Sequence, residues 1–255
     1  MMFVSLHLIA RRWVALRLTQ PTALLLTFIL GASSGLAQKP IQKPRVPPGV
    51  DPGGVAVAII GSGIDYTRPE IAARLARDGE GELIGWDFVD NDRRPYDPCK
   101  DTVSVCRMLG RSALSRSPSS RLMIVRASTD APQSMVAAVG MIASTSARVV
   151  VVAFDRPPPL QFLTEAARRH PHLVFVGASA FARDEPKQTL VHDANLLALR
   201  VDPDDAQPGV SENLVATALA EHASNCVTKA PKSNPNEIAA CALEHLRDSS
   251  SPSRP

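Results

Sequence analysis

The turn Gly61-Ser62-Gly63-Ile64-Asp65 is the first place in this chain where residue types and spacing could do chemistry. It follows Val55–Ile60, a run of small and β-branched apolar residues that reads as a buried parallel strand. A helix signal with Pro69 in its first turn comes next, so strand, turn and helix would present a hydroxyl and a carboxylate at a strand's carboxyl end. Chemistry gathers there in α/β sheets. A dinucleotide cradle is one reading of two glycines in such a turn, but the third glycine of the fingerprint would fall at Tyr66. A tyrosine cannot give the close helix packing that this glycine provides, so no nucleotide and no other cofactor is expected. Four cysteines form the second set: Cys99, Cys106, Cys226 and Cys241. No CxxC motif or neighbouring histidine pair favours a metal site, and an even count favours two disulfides, with three pairings possible. Pairing near neighbours gives Cys99–Cys106 and Cys226–Cys241. The histidines His170, His172, His192, His222 and His245 lie in polar or helical settings and read as surface or capping residues.

Residues 1–37 read as a secretory signal peptide. Arg11, Arg12 and Arg17 precede the apolar stretch Ala23–Ala32, and Gly35-Leu36-Ala37 offers a small-x-small cleavage site. The apolar run is short for a membrane span, so no stable span is expected once the signal is removed. The leader carries three arginines and no acid, which leaves 25 basic and 25 acidic residues beyond it. A neutral remainder gives no reason to expect nucleic acid or an acidic substrate as partner. A secreted or periplasmic location follows, and it suits the disulfides.

Residues 38–54 form a proline-rich linker, 55–247 one folded domain, and 248–255 a disordered tail. Within the domain the apolar pattern predicts strands at Glu82–Val89, Arg121–Ala127, Val149–Phe154 and Leu173–Ala178, with Leu196–Val201 as an edge or final strand. Helices are expected after Pro69 (Ile71, Ala72 and Leu75 at helical spacing) and after a cap at Asp101 or Thr102. Further helices are predicted at Met135–Ser144, Leu160–His170, Ser211–Ser224 and Pro235–Leu246, the last capped by Asn234. Alternating strands and helices imply an α/β class, a doubly wound and mostly parallel sheet with helices on both faces.

The run Ser62-Gly63-Ile64-Asp65-Tyr66-Thr67-Arg68-Pro69-Glu70, with Gly85-Trp86-Asp87-Phe88-Val89-Asp90-Asn91-Asp92 after it, resembles the subtilisin-like serine proteases. The match is specific in the first third of the domain and looser beyond it, and it implies a shortened subtilisin-like fold. In that family the catalytic aspartate precedes the Thr-Gly of the turn, and the matching position here is Gly61. The family's His-Gly-Thr aligns with Lys100-Asp101-Thr102, and its substrate-strand Ser-x-Gly with Ala153-Phe154-Asp155. The oxyanion asparagine is absent from Gly177–Phe181. Gly209-Val210-Ser211 stands at the nucleophile's position, which makes Ser211 the surviving candidate, although a serine there also reads as a helix N-cap. A serine hydroxyl needs a base, an orienting carboxylate and oxyanion donors, and losing them costs orders of magnitude in rate. The resemblance therefore implies a pseudoprotease that holds a peptide or protein partner in the old substrate cleft. The alternative is an active serine endopeptidase using Ser211 with Lys100, a dyad that requires burial to lower the lysine pKa.

Overall fold

The buried apolar runs seen in the sequence assemble into one sheet of seven strands. In the computed structural model the described residues are 42–99, 106, 112, 117–180, 190–201 and 210–250, with side chains omitted at 210–212, 249 and 250. The strands are β1 (Val55–Gly61), β2 (Trp86–Asp87), β3 (Ser120–Arg126), β4 (Val149–Ala153), β5 (Val174–Ala180), β6 (Leu190–Asp193) and β7 (Leu196–Val201). Their spatial order is β2-β3-β1-β4-β5-β7-β6, and every neighbouring pair is parallel except β6–β7. Parallel strands this apolar must be covered on both sides. Helices α4 (Val210–Lys229) and α5 (Pro235–Ser250) close one face through Leu219, Ala220, Ile238 and Leu243. Helices α2 (Pro132–Ala143) and α3 (Leu160–Arg169) close the other through Met135, Ile142 and Leu163. The fold is thus α/β with helices on both faces.

The chain leaves β1 toward β2 and β3 on one side and leaves β4 toward β5 on the other. Strand order reverses at this point, and open α/β sheets place their ligand crevice there, at the carboxyl ends. Gly61, Arg126 and Ala153 lie side by side in the register and mark that edge.

Both disulfides form as expected, Cys99–Cys106 with 5.5 Å and Cys226–Cys241 with 6.3 Å between Cα atoms. The second ties α4 to α5. Asn234 caps α5 reciprocally: its Oδ1 accepts from Glu237 N, and Asn234 N donates to Glu237 Oε2, each at 3.0 Å. This is a capping box, with Pro235 at the first helical position.

Five expectations change. The helix after the glycine turn is only α1 (Pro69–Ala72). Leu122 N donates to Arg74 O and Ala76 N to Leu122 O, so the chain is drawn alongside β3 before the helical spacing can be used. The second strand shrinks to two residues. Leu196–Val201 is the final strand, as one of its two readings had it, but not the edge, because β6 turns back through Ala194 and Asn195 to cover it, and Ala194 takes the positive φ (47°) that such a hairpin turn needs. Helix α5 continues to Ser250, past the start of the expected tail. Finally, the segment read as a linker is, from Gln42 onward, a strap bonded to the domain. Tyr66 Oη donates to Pro44 O at 2.8 Å, Arg77 Nη2 to Pro47 O at 2.6 Å, and Arg121 Nη1 to Asp51 Oδ2 at 2.9 Å. The expected leader, the capped helix after Lys100, and residues 251–255 lie outside the described residues. Among those residues no helix is long and apolar enough to cross a membrane.

Candidate functional site

The carboxyl edge has two halves, and the strand sequences decide what each displays. On the β1–β2–β3 half, β2 ends in Asp87, β3 ends in Arg126, and the strap lays Lys43 between them. Asp87 is fully buried. Its Oδ2 accepts from Lys43 Nζ at 2.5 Å and from Arg126 Nη1 at 2.9 Å, while its Oδ1 accepts from Val89 N and Asp90 N. Lys43 Nζ also lies 2.8 Å from Asp90 Oδ2 and 3.2 Å from Asp92 Oδ2. Burial alone would lower the Lys43 pKa, but the hydrogen bonds to Asp87, Asp90 and Asp92 outweigh it and hold it above the ordinary lysine value. The Lys43 bond, with Arg126 in support and burial opposing, holds Asp90 below the usual carboxylate range. Every lone pair of Asp87 is committed, so this carboxylate has nothing left with which to orient an imidazole.

The turn itself carries backbone chemistry only. Arg126 Nε donates to Ser62 O at 2.9 Å. Gly63 sits at φ 107°, and a Cβ there would fall 3.1 Å from Pro95 O, so only glycine fits. Asp65 accepts from Thr67 N and Thr67 Oγ1, a local turn that occupies its Oδ1. At Gly61 a Cβ would fall 2.6 Å from Ala153 O, a backbone atom of the paired strand. No side chain can stand at this position without forcing β1 and β4 apart.

On the β4–β5 half the backbone is held by neutral groups. Pro158 O accepts from Ala180 N and from the buried Ser179 Oγ, both at 3.0 Å, so the Pro157–Pro159 run seals the end of β5. Helix α4 starts here, since Asn213 Nδ2 donates to Phe154 O at 3.1 Å, just past the end of β4. Asn213 is fully buried and its Oδ1 has no partner among the described residues. Sequence reasoning did not single out Asn213, Lys43 or Arg126. An Asn two residues beyond Ser211 was the available signal for the first, and the other two depend on contacts across 44 and 39 residues of chain.

Ser211 falls inside the first turn of α4 rather than at its cap, because the helix begins at Val210. Lys100 and the Ser211 side chain lie outside the described residues. Among the described residues no histidine reaches this edge. His222 is eleven residues beyond Ser211 on α4, about 16 Å along the axis. His170 and His172 precede β5 and His192 pairs with Leu197 near the start of β7, so all three lie toward the amino edge. His245 stacks on His222. Three cavities lie apart from the crevice: one of about 460 Å³ beside the strap, lined by Arg45, Arg93 and Arg94 among others, one of about 510 Å³ at the Ala230–Ser233 turn, and one of about 300 Å³ between α4 and α5. The chain matches no protein-family model, and no curated protein matches it either.

Proposed function

We propose that the protein is a secreted, non-catalytic relative of the subtilisin-like serine proteases, a binding or scaffold module that holds a peptide or protein partner at the carboxyl edge of its sheet. The observation that carries this reading is the close approach of Gly61 to Ala153 O. The position where the family keeps its orienting carboxylate has no room for a side chain, and the nearest buried carboxylate, Asp87, is saturated by Lys43, Arg126 and two backbone amides. An imidazole base without an orienting carboxylate loses about four orders of magnitude in rate, and here no described histidine reaches the edge. The exposed Arg156 beyond β4 offers a side chain for a partner to contact. Two disulfides suit the oxidising compartment that the leader implies.

A fluorophosphonate probe tests the reading directly, because it labels only activated serines. Purified protein from residue 38 onward is expected to remain unlabelled, and to match its Ser211→Ala variant. Labelling that disappears in Ser211→Ala would establish the active endopeptidase instead and sink the non-catalytic reading.

A further inference from the structure

Helices α4 and α5 place two cysteines and two histidines together in a way that a search for CxxC overlooks. His222 and Cys226 are four residues apart on α4, and Cys241 and His245 are four apart on α5. Residues at i and i+4 share one helix face, one turn apart. The Cys226–Cys241 disulfide brings the two faces together, and His222 stacks on His245 with ring centroids 5.8 Å apart and planes 26° apart. The ligand atoms of Cys226, Cys241 and His245 all lie within 4.8 Å of one another. In a tetrahedral site with metal–sulfur bonds of about 2.3 Å and metal–nitrogen bonds of about 2.0 Å, ligand atoms stand roughly 3.3–3.8 Å apart. The 4.8 Å limit includes the separations such a site needs once the sulfurs part, and the His222 ring stacks on that of His245 beside it.

We propose that reduction of the Cys226–Cys241 disulfide converts this helix staple into a zinc site, with Cys226, Cys241 and His245 as ligands and His222 as the fourth. The chemistry balances in two steps. A dithiol reductant gives two electrons and two protons to the Sγ–Sγ bond and becomes a disulfide itself, leaving two thiols. Zinc then displaces the two thiol protons to solvent and takes a lone pair from each neutral imidazole, which makes an S₂N₂ site of zero net charge. Two thiolates with two imidazoles in tetrahedral array select zinc among the available divalent ions. Three features favour the conversion. The Cα separation of 6.3 Å is wide for a disulfide and lets the sulfurs part around an ion. The His222 and His245 rings stack on one another and line one cavity together, so both imidazoles face the same space. The cavity of about 300 Å³ beside the two rings admits an ion from solvent, with the exposed Lys229 at its rim.

The test uses the protein from residue 38 onward, reduced with a phosphine in oxygen-free buffer and titrated with cobalt(II) as a spectroscopic substitute for zinc. One equivalent should bind, with thiolate-to-cobalt charge-transfer bands and tetrahedral d–d absorption, and zinc should displace it. The oxidised protein should show no such spectrum. His245→Ala should weaken cobalt binding at least about tenfold, and His222→Ala should shift the d–d bands toward higher coordination as water replaces the imidazole. A Cys99→Ser/Cys106→Ser variant should keep the spectrum. If reduction alone melts the helices, zinc should restore the helical circular dichroism. Absence of the charge-transfer bands, their loss in Cys99→Ser/Cys106→Ser, indifference to both histidine variants, or melted helices that zinc leaves melted would each overturn the proposal.

Discussion

The two halves of the carboxyl edge use opposite physics to hold their backbone. Around β1, β2 and β3 the groups are ionic, and a buried carboxylate shares two cations with two more carboxylates and a strap. Around β4 and β5 they are neutral, with a proline carbonyl, a serine hydroxyl and an asparagine amide. Removing one partner from a buried ionic group leaves a charge without water, whereas removing a neutral hydrogen bond leaves a much cheaper defect. The ionic half is therefore committed to structure. The half held by neutral hydrogen bonds is the one that tolerates change without loss of the fold.

Gly61→Asp should be the most damaging change, costing about 4 kcal/mol or more by combining overpacking with a buried unpaired charge. Chemical denaturation reads the loss. Should Gly61→Asp with Lys100→His instead fold normally and hydrolyse an ester, the crevice was open and the contrast between halves fails. Asp87→Ala follows at about 3 kcal/mol, because it strands Lys43 and Arg126 together beside Asp90 and Asp92. A thermal midpoint within a few degrees of the parent would show that the cluster is peripheral.

Lys43→Met should cost about 1–2 kcal/mol and act mainly on the strap, raising hydrogen exchange across 45–51 while β4 and β5 stay protected. The same latch should respond to pH. The folded pKa of Asp90 lies below its unfolded value, so its contribution is present above roughly pH 4 and fades as pH falls through the depressed value. Lys43 behaves in reverse, contributing below roughly pH 10.5 and fading as pH rises past its raised value. Protection factors at 45–51 should fall at both extremes before the sheet opens. Asn213→Leu should be the mildest, under about 1 kcal/mol, since it removes an acceptor with no partner among the described residues along with a single neutral bond. A cost comparable to that of Asp87→Ala would erase the distinction.

How much of this could be read from the chain depended on the range of the interaction. Val149–Ala153 is apolar at every position, and only a strand buried on both faces satisfies such a run, so the α/β class was legible. Asn234 with Glu237 was legible because a cap is local, as were disulfides between cysteines seven and fifteen residues apart. Helix α1 was overestimated because Ile71, Ala72 and Leu75 keep a helical period while β3, nearly fifty residues on, claims the backbone at Arg74–Ala76. The edge strand β6 escaped notice because its short, half-exposed sequence carries no period of its own, and its turn is set by Ala194 rather than glycine. The crevice was half legible: the glycine at position 61 is visible as a letter, while the approach of Ala153 O to it is a distance between strands.

The strap is also one-sided in its bonding. Prolines 44, 47 and 48 have no amide hydrogen, and Pro44 and Pro47 serve the domain as carbonyl acceptors for Tyr66 and Arg77. A ribbon built this way cannot recruit a neighbouring chain by strand pairing through those positions. With φ already fixed at each proline, it also has little conformational entropy to surrender when it docks. It is a self-limiting fastening, ordered at low entropic cost and unable to propagate an edge.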